Sequence, residues 1–206
     1  MQLEIHSDVA CPWCWIGKKR LEKAVAGGLP APEIRWRAFL LQPDLPADGV
    51  DTMAFFAKKF GGEAKVKQMF DHVAAIGKTE GLDFRFDKMT RASNTKLAHR
   101  LVALARARGQ ENPAVDVFFK GQFELGSDMG KLDVLLELLD GAGVVTEGMR
   151  EAIASGEGIA EVDADFLLAR RRGVTGVPFF VAGNKVAMSG AQPPAAFVQL
   201  FQQAGV

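Results

Sequence analysis

Two cysteines, three residues apart, are the only thiols in this 206-residue chain, in the run Cys11-Pro12-Trp13-Cys14. Helical residues three apart have Cα atoms roughly 5 Å from one another, inside the range that a disulfide tolerates. If the segment opens a helix, the two thiols can therefore close and reopen a bond. A helix start offers unpaired backbone N–H groups, which favour an anion. The thiolate is the reactive form of cysteine, and in such motifs thiols ionise between about 3.5 and 7.5 rather than near 8.5. Cys11 comes first, at the exposed helix mouth, and is the expected attacking thiolate. Cys14 lies one turn further in and is the expected resolving thiol, more buried than Cys11. Pro12 lacks an N–H and suits the first helical turn. Trp13 lies between the cysteines and is a candidate for substrate contact together with Pro12.

Competing uses of a cysteine pair are weaker here. A closed zinc site needs four ligands, and the three histidines, His6, His72 and His99, stand in no paired ligand spacing. No metal is expected. Two inert buried cysteines would not explain a proline between them at a helix start.

The elements around the motif fit this reading. Leu3-Glu4-Ile5-His6 alternates apolar and polar residues like a strand, and Trp15 to Val25 carries apolar residues at helical spacing. Glu33 to Phe39 alternates again, with Ile34, Trp36 and Ala38 on one face. The result is β-α-β, whose crossover helix makes the two strands parallel. From Asp51 to about Gly158 the pattern is helix after helix, with no convincing strand. Asp51 is positioned to cap Thr52–Phe60, and Asn94 to cap Thr95–Arg108. A last helix ends near Arg172, and its run Arg170-Arg171-Arg172 is a favourable basic last turn. Phe179 to Val181 and Lys185 to Met188 form an antiparallel pair across Ala182-Gly183-Asn184, and Pro193–Gln203 is a closing helix.

Composition excludes several functions. Twenty-five basic and 25 acidic residues balance, which supports neither nucleic-acid binding nor an anionic membrane surface. There is no run of about 18 apolar residues and no basic-then-apolar leader. The expected location is cytoplasmic, where disulfides are usually transient and catalytic. With 48% hydrophobic residues, among them 15 Phe, the chain can bury a sizeable core.

Asp8-Val9-Ala10-Cys11-Pro12-Trp13-Cys14, followed about 160 residues later by Gly176-Val177-Pro178-Phe179-Phe180, resembles the DsbA-like thioredoxin superfamily. The closer likeness is to its FrnE-like branch of thiol oxidoreductases. That branch is related to 2-hydroxychromene-2-carboxylate isomerases and kappa-class glutathione transferases. Phe39-Leu40-Leu41-Gln42-Pro43-Asp44, Asn94 to Leu101 and Ser189-Gly190-Ala191-Gln192-Pro193 extend the likeness along nearly the whole chain. The resemblance implies an α/β, thioredoxin-like fold from residues 1–45 and 160–206, with a large all-helical insertion at 46–159. It also implies a cis Val177–Pro178 bond facing the cysteines. The backbone of Val177 would then pair with an extended substrate, and Gln42, Asn94 and His99 would be substrate-binding candidates. On the residues alone, Pro178 could instead begin an edge strand, and His99 could simply be packed on its helix.

Two departures sharpen the expectation. The isomerases and kappa transferases typically place Ser where Cys11 stands, so the intact pair favours exchange chemistry. The periplasmic DsbA proteins typically have His where Trp13 stands, which implies a milder oxidant. Glu4 and Asp8 are acid candidates for proton transfer with Cys14; Asp8 could equally cap its turn. Three activities compete. The first is a thiol–disulfide oxidoreductase acting on protein or low-molecular-weight thiols or disulfides, with no bound cofactor and with glutathione as a redox partner. The second is a glutathione-dependent isomerase or transferase. The third is a chaperone-like binding protein.

Overall fold

A computed structural model describes residues 1–206. The elements in chain order are β1 (Gln2–Ser7), α1 (Pro12–Ala26), β2 (Glu33–Ala38), β3 (Val50–Asp51), α2 (Thr52–Phe60), α3 (Glu63–Thr79), β4 (Arg91–Ala92), α4 (Lys96–Arg106), α5 (Glu111–Lys120), α6 (Leu132–Gly141), α7 (Met149–Ala154), α8 (Ile159–Arg171), β5 (Phe179–Ala182), β6 (Val186–Ser189) and α9 (Pro194–Ala204). The chain divides into two compact units, Met1–Leu41 with Val162–Val206, and Gln42–Glu161.

The first unit is built on a four-stranded sheet in the order β2-β1-β5-β6. β1 runs parallel to β2, from Gln2 opposite Glu33 to Ser7 opposite Ala38. The crossover through α1 dictates that direction, whereas β5 runs antiparallel to β1, and β6 returns antiparallel to β5. α1 and α9 pack together, and α9 also lies on β5 and β6. Leu3, Ile5, Ile16, Leu21, Phe180, Phe197 and Phe201 fill this core with no more than 1% exposure. Phe180 meets Phe197 edge-to-face at 4.9 Å, a geometry that suits the aromatic quadrupoles.

β1 departs from a half-buried strand: every residue from Leu3 to Ser7 is buried. As a central strand it has both faces covered, so its polar residues need partners inside the protein. Glu4 and His6 find them on the strand's α8 side. Arg37 Nε donates to Glu4 Oε1 at 2.7 Å, and Arg172 Nη1 pairs with Glu4 Oε2 at 2.5 Å. Arg37 Nη1 also reaches Asp165 at 3.0 Å, and Asp165 Oδ2 accepts the Ala38 N–H at 3.1 Å. Arg172 is thus more than a basic last turn; it is the inward counter-ion of a buried carboxylate.

The second unit is mainly helical, around Leu101, Phe118, Phe119, Phe123, Met129, Leu135 and Leu139. Asp51 accepts the Ala54 N–H at 2.8 Å and caps α2, as its position predicts. The insertion is not wholly helical, because β3 and β4 pair antiparallel, Val50 with Ala92 and Asp51 with Arg91. Two residues per strand are too few to leave a period-two pattern in the sequence. α5 continues into a single π turn, Gly121–Leu125, closed by Gly126 at φ 71°. A Cβ on Gly126 would lie 2.3 Å from the Lys88 carbonyl oxygen, so position and close approach both require glycine there.

Candidate functional site

The cysteine pair sits on the turn from β1 into α1. Cys11 takes the cap position with extended backbone angles (φ −101°, ψ 109°), and Pro12 is the first helical residue. The turn is held from within: the Cys11 N–H donates to the Asp8 carbonyl at 3.0 Å. The Asp8 carboxylate accepts the N–H of Ala10 at 3.1 Å and that of Leu41 at 2.8 Å. Asp8 is 1% exposed, and these bonds make it the cap of the turn and its tie to the end of β2. Of its two expected roles, the cap is the one with geometry behind it.

Both cysteines are free thiols, and both are buried, Cys11 to 4% exposure and Cys14 to 1%. The order is as expected, but the exposed helix mouth is not: Cys11 is covered. Its Sγ donates to the Val177 carbonyl oxygen at 3.5 Å, a contact across 166 residues. The Val177–Pro178 bond is cis. The loop carrying it is pinned to α1 by close packing at Gly17, where a Cβ would lie 3.1 Å from Pro178 Cγ and 3.2 Å from Phe180 Cζ. The Pro178 carbonyl accepts the Gly190 N–H at 2.8 Å, and the neighbouring Ala191 carbonyl accepts from Arg20 Nη1 of α1 at 2.5 Å. The Ser189-to-Pro193 segment therefore supports the proline loop from behind.

Burial pushes the Cys14 thiol well up, and the hydrogen bond and charge of Cys11 push it further; the Ser7 hydroxyl and the Asp8 backbone act in the opposite direction. Cys14 therefore keeps its proton through the neutral range. Ser7, 4% exposed at the end of β1, was not legible as a site residue. Its only sequence signal was its place on the apolar face of the strand, four residues before Cys11.

Glu4 does not fit proton transfer with Cys14. Burial alone would raise its carboxyl, but hydrogen bonds and charge from Arg37 and Arg172 outweigh that and hold it below the ordinary value. It is a committed counter-ion, and a poor base for a thiol that holds its proton tightly. It leaves β1 on the side opposite Ser7, because alternate residues point to opposite faces.

Trp15 and Phe39 belong to the core, while Trp13, the candidate for substrate contact, is half-buried at the helix mouth. Leu41, Val177 and Phe179 are half-buried and pack on a cluster of Phe39, Ala169 and Val174. Gln42, Asn94 and His99 belong to the second unit. Gln42 is half-buried, and its carbonyl accepts the Leu45 N–H. The Asn94 amide is committed to backbone: Nδ2 donates to the Pro43 and Leu45 carbonyls at 3.0 and 3.1 Å, and Oδ1 accepts the Lys96 N–H at 2.9 Å. That last bond closes a turn just before α4, whose cap position is held by Thr95 and not, as expected, by Asn94, because the helix begins one residue later, at Lys96. His99 is packed in α4 at 6% exposure. Nowhere do three His, Cys, Asp or Glu side chains gather as a metal site.

A dithiol at a helix start, beside a four-stranded sheet and facing a cis-proline loop, defines a thioredoxin-like protein of the thiol-chemistry class. Sequence comparison is more specific. The chain belongs to the DSBA-like thioredoxin domain family, whose profile matches residues 2–202. It is similar to a probable DsbA oxidoreductase from Streptomyces coelicolor, at 36% identity and a TM-score of 0.89 over 100% of this chain and 90% of that one. It shares its fold with the glutathione-bound cytosolic disulfide reductase DsbM from Pseudomonas aeruginosa (21% identity, TM-score 0.71, 100% of both chains). The fold is also that of a 2-hydroxychromene-2-carboxylate isomerase (15% identity, TM-score 0.71, 100% of this chain and 95% of that one). No helix is long and apolar enough to cross a membrane.

Proposed function

We propose that the protein is a thiol–disulfide oxidoreductase that cycles a Cys11–Cys14 disulfide through a mixed disulfide on Cys11. One observation carries this reading: Cys11 Sγ lies 3.5 Å from the carbonyl oxygen of Val177, the residue before cis-Pro178, with Cys14 a turn deeper. In the reducing direction, the Cys11 thiolate attacks a substrate disulfide. A Cys11–substrate S–S bond forms, and the first substrate sulfur leaves as a thiolate. Cys14 then loses its proton and attacks Cys11 Sγ. The Cys11–Cys14 bond forms, the mixed disulfide breaks, and the second substrate sulfur leaves and takes up a proton. Two electrons have passed from the pair to the substrate, and the oxidising direction is the reverse. The raised Cys14 thiol supports this division of roles, since a thiol that holds its proton is a poor first nucleophile and is suited to wait for the second step.

The half-buried apolar residues Leu41, Val177 and Phe179 would receive the chain flanking a substrate cysteine. Glutathione is the proposed small-thiol partner, a reading supported by the shared fold with glutathione-bound DsbM. A reducing, cytoplasmic setting is proposed as well: the pair are the chain's only cysteines, so the fold depends on no structural disulfide. The test is reduction of insulin disulfides by the parent protein, Cys11→Ser and Cys14→Ser, with alkylation mapping of the reduced parent. The expected result is loss of turnover in both variants and first labelling at Cys11. Full turnover in Cys11→Ser would refute the assignment.

A further inference from the structure

We infer that Ser7 is a functional member of the thiol site, whose hydroxyl donates the hydrogen bond that stabilises Cys14 at the moment it becomes a thiolate and resolves the mixed disulfide. The inference rests on the exchange cycle proposed above. Ser7 ends β1, and its side chain is buried at 4% exposure. Its Oγ is enclosed and makes no hydrogen bond to any nitrogen or oxygen. A buried hydroxyl left unused is costly, so it calls for a partner that appears at another stage of the cycle. The group it acts on is the Cys14 thiol, which it favours in the ionised form. A neutral thiol is a weak acceptor. A thiolate is an anion, and hydrogen bonds to ionised acceptors are roughly twice as strong as neutral ones. The bond that is idle in the dithiol therefore forms when Cys14 ionises.

The surroundings leave Ser7 few competitors. Cys14 is opposed by burial and by Cys11 on its own helix, and only the Asp8 backbone joins Ser7 in favouring its anion. The Asp8 carboxylate is engaged with the N–H groups of Ala10 and Leu41. Glu4 and His6 leave β1 on the opposite face, where Arg37 and Arg172 hold Glu4 and Arg172 meets His6. No carboxylate is thus left to serve Cys14, and a neutral donor takes that place. In the resolving step, the Cys14 proton ends on the departing substrate thiolate, while Ser7 keeps its own proton and supplies only the hydrogen bond.

The test uses the full chain with Cys11 loaded as the mixed disulfide of 2-nitro-5-thiobenzoate. Attack by Cys14 expels the coloured thiolate, so absorbance reads the resolving step directly. Ser7→Ala removes only the hydroxyl and adds no volume. It should slow release about tenfold at neutral pH, the equivalent of one charge-assisted hydrogen bond, and shift the midpoint of the release-against-pH profile up by about one unit. In a Cys11→Ala background, thiolate absorbance should show the same upward shift of Cys14 on removal of Ser7. If the parent releases promptly and Ser7→Ala matches it in rate and pH midpoint, the role of Ser7 is overturned. If the parent itself releases nothing, it is the exchange cycle that fails.

Discussion

Replacing His6 with glutamine should flatten the acid side of the protein's stability profile. His6 is fully buried on β1, and Arg172 Nη1 lies 3.3 Å from its Nε2. A guanidinium can only donate, so Nε2 must accept and the ring must be neutral. Burial first, and then the Arg172 charge, lower its pKa from 6.5 to about 4, against the opposing pull of Glu4 and Asp165. The folded value thus lies below the unfolded one. Between pH 6.5 and 4 the unfolded chain takes up a proton that the native protein refuses. The His6 contribution is therefore complete above pH 6.5 and is lost as pH falls towards 4. Linkage over that window amounts to about 2 kcal/mol between pH 7 and pH 4.5. Urea unfolding followed by tryptophan fluorescence at the two pH values measures it. The parent should lose about 2 kcal/mol more than His6→Gln, because the other titrating groups are common to both proteins. Equal losses in the two proteins, or a His6 ring that titrates near 6.5 by NMR, would refute the argument.

Two other perturbations follow from the same geometry. Asp165→Asn removes half the counter-charge of Arg37 and weakens the acceptor of the Ala38 N–H, and should destabilise the protein by about 2–4 kcal/mol in urea melts, as breaking a buried pair does. Gly17→Val forces branched atoms into a gap where even a Cβ would sit 3.1 Å from Pro178 and 3.2 Å from Phe180. It should cost about 1–3 kcal/mol, and by displacing the proline loop from Cys11 it should slow insulin reduction by more than its effect on stability accounts for. A variant that is destabilised yet exchanges at the parent rate would mean that this packing does not position the loop.

What the sequence revealed was local. The Cys-Pro-Trp-Cys run, the alternation of β1 and β2 and the Asp51 cap are each written within a few neighbouring residues, so their placement could be read directly. What it concealed was long-range. Arg37 and Asp165 are 128 residues apart, and Cys11 and Val177 are 166 apart. No periodicity predicts that Glu4 will be held by two arginines rather than serve Cys14, or that Cys11 will lie beneath a carbonyl. Ser7 reads as one more inward residue of a strand until Cys14 is packed beside it. The β3–β4 ribbon was invisible because it is only two residues wide.

The central claim, that Cys11 attacks and Cys14 resolves, is tested most directly by trapping. Cys14→Ser, exposed to glutathione disulfide or to a peptide disulfide and examined by intact-mass and peptide-mapping mass spectrometry, should accumulate one substrate group bound through Cys11. The parent under the same conditions should show none and should instead hold an internal Cys11–Cys14 disulfide, because the resolving thiol is present. A Cys14→Ser protein that stays unmodified while Cys11→Ser traps the adduct on Cys14 would contradict the account.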